Sequence, residues 1–282
     1  MKTLKLKSPG KVNLRLDVLG RRPDGYHDLR MLNSAISIYD DVEMEVIDKG
    51  IEVFCDDDPK VPSGEANIVF QASKEIMAYS NKNVGIRVRI KKRIPSAAGM
   101  GGGSSNAATV LMGLNQLLKI HLPREKLIKI SLRFGTDIPF FLYGSPAIAT
   151  GIGENLFKIK RLPRMPFVIV SPNVSVTTQS IYEKYRSNGN GSHEMEMPKE
   201  FSTKRAVVKF MHNDLESVTA KQYPIVSEIK ALLMKYGAMG AQMTGSGPTV
   251  FGIFSEWDEA EKVAKKLTSA RQDWRVFVAE NI

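Results

Sequence analysis

Cysteine is nearly absent: Cys55 is the single thiol in 282 residues. No intrachain disulfide can form, and the cysteine framework of a small secreted domain is excluded. Cys55 also lies in an acidic stretch, CDDD, that offers nothing to stabilise a thiolate. No run of 18 apolar residues occurs, so the pattern contains no transmembrane helix. The start, MKTLKLKSPGK, lacks the apolar core of a signal peptide, and together with the lone thiol it leads us to expect a reducing cytoplasm. Internal repeats, low-complexity tracts and heptads are missing too, which removes solenoids, coiled coils and disordered tails. Several catalytic signatures are missing as well. The only Gly-Lys pair, Gly10-Lys11, is followed by Val12, so there is no Walker loop. A dinucleotide fingerprint begun at Gly99 meets Ser104 where its last glycine belongs. There is no G-x-S-x-G, and no His or Cys pair stands at zinc-ligand spacing.

The 43% hydrophobic content is ordinary for a globular protein, and 282 residues suggest two domains. The net charge of +10 fits an anionic partner of some kind: nucleic acid, a membrane surface or a small anionic substrate. The excess is spread along the chain rather than gathered into a tail, which disfavours a nucleic-acid arm. Period-2 patterning predicts strands at 2–8, 12–19, 42–47 and 84–90, and β-rich runs predict others at 166–171, 248–254 and 274–279. Helical spacing predicts helices at 67–79, 104–118, 124–134, 178–186, 222–236 and 258–270. A polar loop is expected at 188–198. Strands arrive in pairs without regular β-α alternation, so an α+β class is expected. The Pro-containing basic stretch from Lys160 to Pro166 is the best linker, dividing the chain into domains 1–160 and 161–282.

The strongest chemical signal is PSAAGMGGGSSNAA, comprising Pro95, Ser96, Ala97, Ala98, Gly99, Met100, Gly101, Gly102, Gly103, Ser104, Ser105 and the residues that follow. Glycines let a backbone approach a ligand closely and turn successive N–H groups into one concavity. The helix expected from Ser104 adds its unpaired amides and its dipole, and the two serines can cap it or touch an anion. This is a candidate phosphate cradle. The bland alternative is a Gly-rich turn between strand and helix, but it does not require so many glycines at a serine-rich terminus. Other segments are weaker alone. MTGSGPT, with Thr244, Gly245, Ser246 and Gly247, reads first as a hairpin turn. GTDIPFFLYG sets Asp137 beside an apolar run, as a desolvated base or simply a helix-terminus residue. SPGKVNLRLDVLGRRPDGYHDL places Lys11 and Asn13 on a strand start and ends in a turn with Tyr26 and His27. Taken alone, His27 reads as a surface turn residue.

Together these segments resemble the GHMP kinase superfamily of small-molecule kinases. PSAAGMGGGSSNAA is similar to the family phosphate loop, and MTGSGPT to its C-terminal glycine motif. The N-terminal and acidic segments resemble those of members that act on cytidylylated methylerythritol. The Asp24-Gly25-Tyr26-His27 turn is the most specific piece. The resemblance implies an α+β pair of domains, the first like ribosomal protein S5 domain 2 and the second ferredoxin-like. It implies transfer of the γ-phosphoryl of ATP, with Mg²⁺, to the 2-hydroxyl of that substrate in an isoprenoid-precursor route. Asp137 and Lys11 are then the catalytic pair. The phosphate loop and, more weakly, Asn67 bind ATP. Asn13, Tyr26, His27 and Tyr182 bind the substrate, and residues 244–247 support the loop. The metal would come with the nucleotide rather than in a protein cage, with Ser105 a candidate ligand. Neither nucleic acid nor membrane is an expected partner, and the protein is expected as a monomer or homodimer. Met100 stands where the family usually has Leu, a volume-conserving swap, and Thr136 where it generally has Ala. A homoserine-, mevalonate- or sugar-type member is the nearer rival, and the Tyr26–His27 turn speaks against it. Nucleic-acid binding through Lys82, Arg87, Arg89, Lys91, Lys92 and Arg93 is the remoter one, without interleaved aromatics to stack bases.

Overall fold

A computed structural model describes residues 2–55, 57, 58, 61, 62, 64–185 and 196–282. Within these, the chain packs as two compact units, each assembled from several stretches of sequence. Residues 188–195 of the expected polar loop lie outside the described residues.

The first unit comprises residues 1–10, 38–96 and 101–144. It holds the first residues of strand β1 (Thr3–Arg21), the last ones of β2 (His27–Ile47), and β3 (Ile51–Phe54), α1 (Ile68–Met77), β4 (Gly85–Lys91), α2 (Gly102–Leu117), α3 (Arg124–Ser131) and α4 (Ile138–Tyr143). β4 pairs antiparallel with β2, from Asp41 opposite Lys91 to Ile47 opposite Gly85, and parallel with β3. Alternation sets the faces. Val42, Met44, Ile86, Val88 and Ile90 are buried, while Arg87 turns outward to Glu45 and Glu52. Ala107, Val110, Leu111 and Leu114 make the buried stripe of α2. Gly113 in that helix lets Met44 pack closely against it, since a Cβ there would lie 2.3 Å from Met44 Cε and the methionine would have to shift.

The second unit comprises residues 11–37, 97–100 and 145–282. After the remaining parts of β1 and β2 it contains β5 (Ala147–Gly151), β6 (Asn155–Lys158), β7 (Pro166–Pro172), α5 (Thr178–Lys184), α6 (Lys204–Phe210), β8 (His212–Asn213), α7 (Glu216–Gln222), α8 (Ile225–Lys235), β9 (Gly240–Met243), β10 (Val250–Ile253), α9 (Trp257–Ala270) and β11 (Trp274–Glu280). β5 pairs with β2 and β6, and β8 runs parallel to β1 with Arg15 opposite His212. The antiparallel sheet β11-β7-β10-β9 forms with α8 and α9 a β-α-β-β-α-β arrangement, the ferredoxin-like order that the resemblance implied. Val168, Val170, Ile229, Leu233, Phe254, Val263 and Leu267 pack into its core.

The α+β class holds, with corrections. The two strands expected at 2–8 and 12–19 are one continuous β1, and the one expected at 42–47 is the end of a much longer β2. α4, the β5–β6 pair, α6 and α7 were not expected. The helix expected at 222–236 is α8 alone, after a break at Tyr223 and Pro224.

Candidate active site

The glycine segment shows why its composition is needed. Ala97, Gly99 and Gly101 have φ of 52°, 76° and 66°, so alternate residues are left-handed. Such alternation turns successive N–H groups into a concavity suited to an anion. Ala97 holds this conformation without being glycine, a local strain of the kind found at ligand sites. α2 starts at Gly102, two residues before the expected Ser104, and its N-cap is Gly101 with no side-chain cap bond. The serines therefore do not cap it. Ser104 lies inside the first turn, and buried Ser105 accepts a 2.8 Å hydrogen bond from the Ser8 hydroxyl. The first amides of a helix have no intrahelical acceptor, and without a capping side chain they remain available to an anion.

A buried polar network underlies the start of α2 in the first unit. Asp40, fully buried, accepts from the amides of Arg93 (2.7 Å) and Ile94 (2.8 Å), from Asn106 Nδ2 (2.9 Å) and from Lys92 Nζ. Asn106 also donates to Ser8, which donates to Ser105. In the same unit Asn67 is the N-cap of α1, its Oδ1 accepting from Val69 N at 2.8 Å and its Nδ2 donating to Pro62 O at 2.8 Å. Asp137 is the N-cap residue of α4, followed by Ile138 and Pro139, and its carboxylate makes no capping bond. It is partly exposed.

In the second unit, Lys11 and Asn13 stand two apart on β1 and so share a face. Both are buried, and Lys11 Nζ donates to Asn13 Oδ1 at 2.7 Å. That same oxygen accepts from Thr244 Oγ1 (3.1 Å) and Gly245 N (2.8 Å), while Asn13 Nδ2 donates to Asn33 Oδ1 (2.7 Å). Asn13 is thus a hub joining Lys11 to residues 244–245. The glycine segment meets the same place: Lys11 N donates to Met100 O (3.0 Å), and the single Thr244 Oγ1 proton is shared between Asn13 Oδ1 and Gly99 O (3.2 Å). A Cβ on Gly99 would lie 2.2 Å from Thr244 O, and one on Gly245 3.0 Å from Gly99 Cα. Ser246 Oγ shares a 2.9 Å hydrogen bond with Thr178 Oγ1, and Gly247 N donates to Thr244 O.

The turn between β1 and β2 is closed by Arg22 N donating to Tyr26 O, with Gly25 at φ 88° and Asp24 accepting from Tyr26 N. Tyr26 is 56% exposed. The His27 ring lies 5.1 Å from that of Tyr182, tilted by 33°. Burial, followed by the charge of Arg21, holds the His27 imidazole below its usual pKa, favouring the neutral ring. Burial pushes the Cys55 thiol up, so it remains protonated.

Asn213, Asp214 and Glu216, which the motif reading passed over, also support this unit. Asn213 Nδ2 donates to the carbonyls of Met243 and Gly245, both at 2.9 Å. Glu216 accepts from Met243 N (2.8 Å) and pairs with Lys230. Their sequence, HNDLES, looks like an ordinary helix start, and no spacing signal separates it from one.

The comparisons with known proteins decide the family. The model of the GHMP kinases N terminal domain matches residues 67–145, and that of the GHMP kinases C terminal domain matches residues 202–272. The 4-diphosphocytidyl-2-C-methyl-D-erythritol kinase of Geobacter sulfurreducens is 47% identical over 268 residues, 95% of each chain. The chain belongs to the GHMP kinase family. A solved 4-(cytidine 5'-diphospho)-2C-methyl-D-erythritol kinase aligns with a TM-score of 0.81 at 30% identity, covering 99% of each chain. The mevalonate kinase of Methanococcus jannaschii, at 17% identity and a TM-score of 0.73, shares the GHMP kinase fold.

The cations behind the nucleic-acid reading are largely occupied. Arg87 pairs with Glu45 and Glu52, Lys92 with Asp40, and Arg93 with Asp41. Lys82 donates to Leu118 O, and Arg89 lies over the Phe54 ring. No helix among the described residues is long and apolar enough to cross a membrane.

Proposed function

We propose that this GHMP kinase transfers the γ-phosphoryl of ATP to the 2-hydroxyl of 4-diphosphocytidyl-2-C-methyl-D-erythritol, in the cytoplasm. The observation that carries this reading is the ring pair of His27 and Tyr182 beside the exposed Tyr26. A cytosine presents two flat faces and a hydrogen-bonding edge, which aromatic walls and a neutral imidazole suit. Homoserine and mevalonate carry no base for such walls to hold. The identity of 47% to a relative bearing that enzyme's name supports the same choice.

Phosphoryl transfer depends on positioning and charge neutralisation more than on covalent chemistry. In this reading Pro95–Ser105 hold the ATP phosphates, mainly by the amides of the left-handed segment and of the α2 start, and Asn67 lies on the adenine side. Asp137 takes the proton of the substrate hydroxyl. It stands at the N-cap of α4, partly exposed, where a carboxylate can reach a bound hydroxyl. Lys11 lends positive charge to the transferring phosphoryl, with its ammonium directed by Asn13. Asn13 takes the substrate side, and Thr244–Gly247 support the glycine segment. Oxygen donors suit Mg²⁺. The ion would travel with the nucleotide and neutralise phosphate charge, with Ser105 as a hydroxyl ligand in exchange for its bond to Ser8. On the division drawn at the linker stretch, the catalytic residues and phosphate loop lie within 1–160 and the supporting motif within 161–282.

The test is ADP release, coupled to a reporter, with three acceptors: cytidylylated methylerythritol, homoserine and mevalonate. Turnover with the first alone is expected. Turnover with either of the others and none with the first would reject the assignment.

A further inference from the structure

We propose that Asp214 is a positioning residue that holds the His27–Tyr182 side of the cytosine cleft in place. The proposal rests on the reading of His27 and Tyr182 given above. β1, which leads into the turn before His27, and α5, which carries Tyr182, both reach this one carboxylate. Asp214 Oδ2 accepts from Val18 N at 2.7 Å, and Val18 lies on β1 shortly before the turn that presents Tyr26 and His27. The Tyr185 hydroxyl donates to Asp214 from the C-terminal end of α5, one helical turn from Tyr182. Residues three apart on a helix lie on one side, so fixing the Tyr185 ring fixes the angle at which Tyr182 faces His27. His212 Nε2, 2.7 Å from Asp214 Oδ1, completes the carboxylate's contacts on the β8 side.

The protonation states suit a clamp. Burial, then the neighbouring Asp214, pushes the Tyr185 hydroxyl up to about 12, so it stays a donor throughout the physiological range. Burial works against an ionised Asp214, but hydrogen bonds from His212, the Val18 amide and Tyr185 outweigh it and hold the carboxyl below its usual value. Asp17, His212 and Asp214 bring ligand-type atoms within 4.8 Å of one another, which raises a metal site as the rival use. Arg15 (2.9 Å) and Arg30 (3.0 Å) both reach Asp17, and two guanidiniums already supply the positive charge that a divalent ion would bring. The clamp accounts for Asp214; a cation does not.

The experiment compares the wild type with Asp214→Ala, Asp214→Asn and Tyr185→Phe. The steady-state constants are measured with cytidylylated methylerythritol and ATP, and CDP binding is measured by calorimetry. Asp214→Ala should raise KM for the cytidylyl substrate and weaken CDP by about tenfold, the equivalent of losing one charge-assisted bond, ~1.4 kcal/mol. Its kcat at saturation and its KM for ATP should stay within about twofold of wild type. Tyr185→Phe should show a smaller shift of the same kind, and Asp214→Asn, which can still accept from Val18, should recover most of the loss. A structural defect alone would lower kcat or raise both KM values together, and that result overturns the proposal. Wild-type turnover with unchanged KM and CDP affinity in Asp214→Ala overturns the clamp while leaving the activity intact. Neither turnover nor CDP binding in the wild type would overturn both.

Discussion

Gly99→Ala tests whether the meeting of the two glycine segments is a structural necessity. Two costs add. Gly99 sits at φ 76°, where an L side chain costs about 1–2 kcal/mol. The new methyl would also lie 2.2 Å from Thr244 O, a backbone atom that cannot swing aside as a side chain could. Reaching ordinary contact requires the segments to part by about 1 Å. That movement strains or breaks the Thr244 Oγ1 to Gly99 O bond of 3.2 Å, for about 1 kcal/mol more. The total is about 2–3 kcal/mol, well above the effect of an ordinary surface substitution. Gly103→Ala supplies the control. Gly103 is exposed in the first turn of α2, and its Cβ would meet only Ile68 Cγ2 at 3.8 Å. Alanine should therefore be neutral or stabilise by about 0.5–1 kcal/mol. Urea unfolding followed by circular dichroism measures both, and the weakened binding of ATP in Gly99→Ala can be followed by calorimetry. A Gly99→Ala protein as stable as wild type, or a Gly103→Ala protein as damaged as Gly99→Ala, would refute the reasoning.

Asp137→Asn should lose kcat by roughly 10²–10⁴-fold and keep its affinity for ATP, read from steady-state rates and nucleotide titration; an unchanged kcat removes Asp137 from the base role. Tyr26→Ala should weaken the cytidylyl substrate by about tenfold while leaving KM for ATP nearly intact, whereas a parallel loss of both would remove it from the cleft wall. The His27 ring should titrate, by proton NMR, with a midpoint below 6.5. Because that folded-state pKa is depressed, the unfolded chain binds the proton more readily as pH falls through 6.5. Stability should decline from there down to the folded midpoint, and His27→Gln should flatten the decline. A midpoint above 6.5 contradicts the burial and the Arg21 charge on which this rests.

Long periodic segments were the legible part of the fold. α9 runs from Trp257 to Ala270 against an expected 258–270, and β11 from Trp274 to Glu280 against 274–279. What hid the rest has particular causes. The inward face of β2 runs Ile36, Ile38, Asp40, Val42, Met44, and the buried carboxylate of Asp40 breaks the apolar alternation in its middle. The pattern therefore reads as a strand only beyond Asp41. Pro9 and Gly10 look like a break, yet β1 continues through them, because the chain keeps pairing despite the missing donor at Pro9. α4, α6 and α7 span six or seven residues each, which leaves a helical period little room to register, although α5 is as short and was expected at 178–186. The site was legible where glycine and turn chemistry constrain the backbone, and less so where tertiary contact confers the role. Asn13 shows the difference: the resemblance implies a substrate contact, but no spacing in the sequence announces the three protein donors that its Oδ1 also receives.

The Thr244–Gly99 bond joins residues 145 positions apart. The glycine segment reads as a self-sufficient motif near the front of the chain, yet Gly99 is pressed into shape by a carbonyl made much later in synthesis. A ribosome-bound chain that has emerged only as far as α2 carries the whole of the proposed phosphate loop without the partner that braces it. Competence to grip a triphosphate should therefore arrive late and abruptly, once residues 244–245 have left the exit tunnel, rather than with the motif itself.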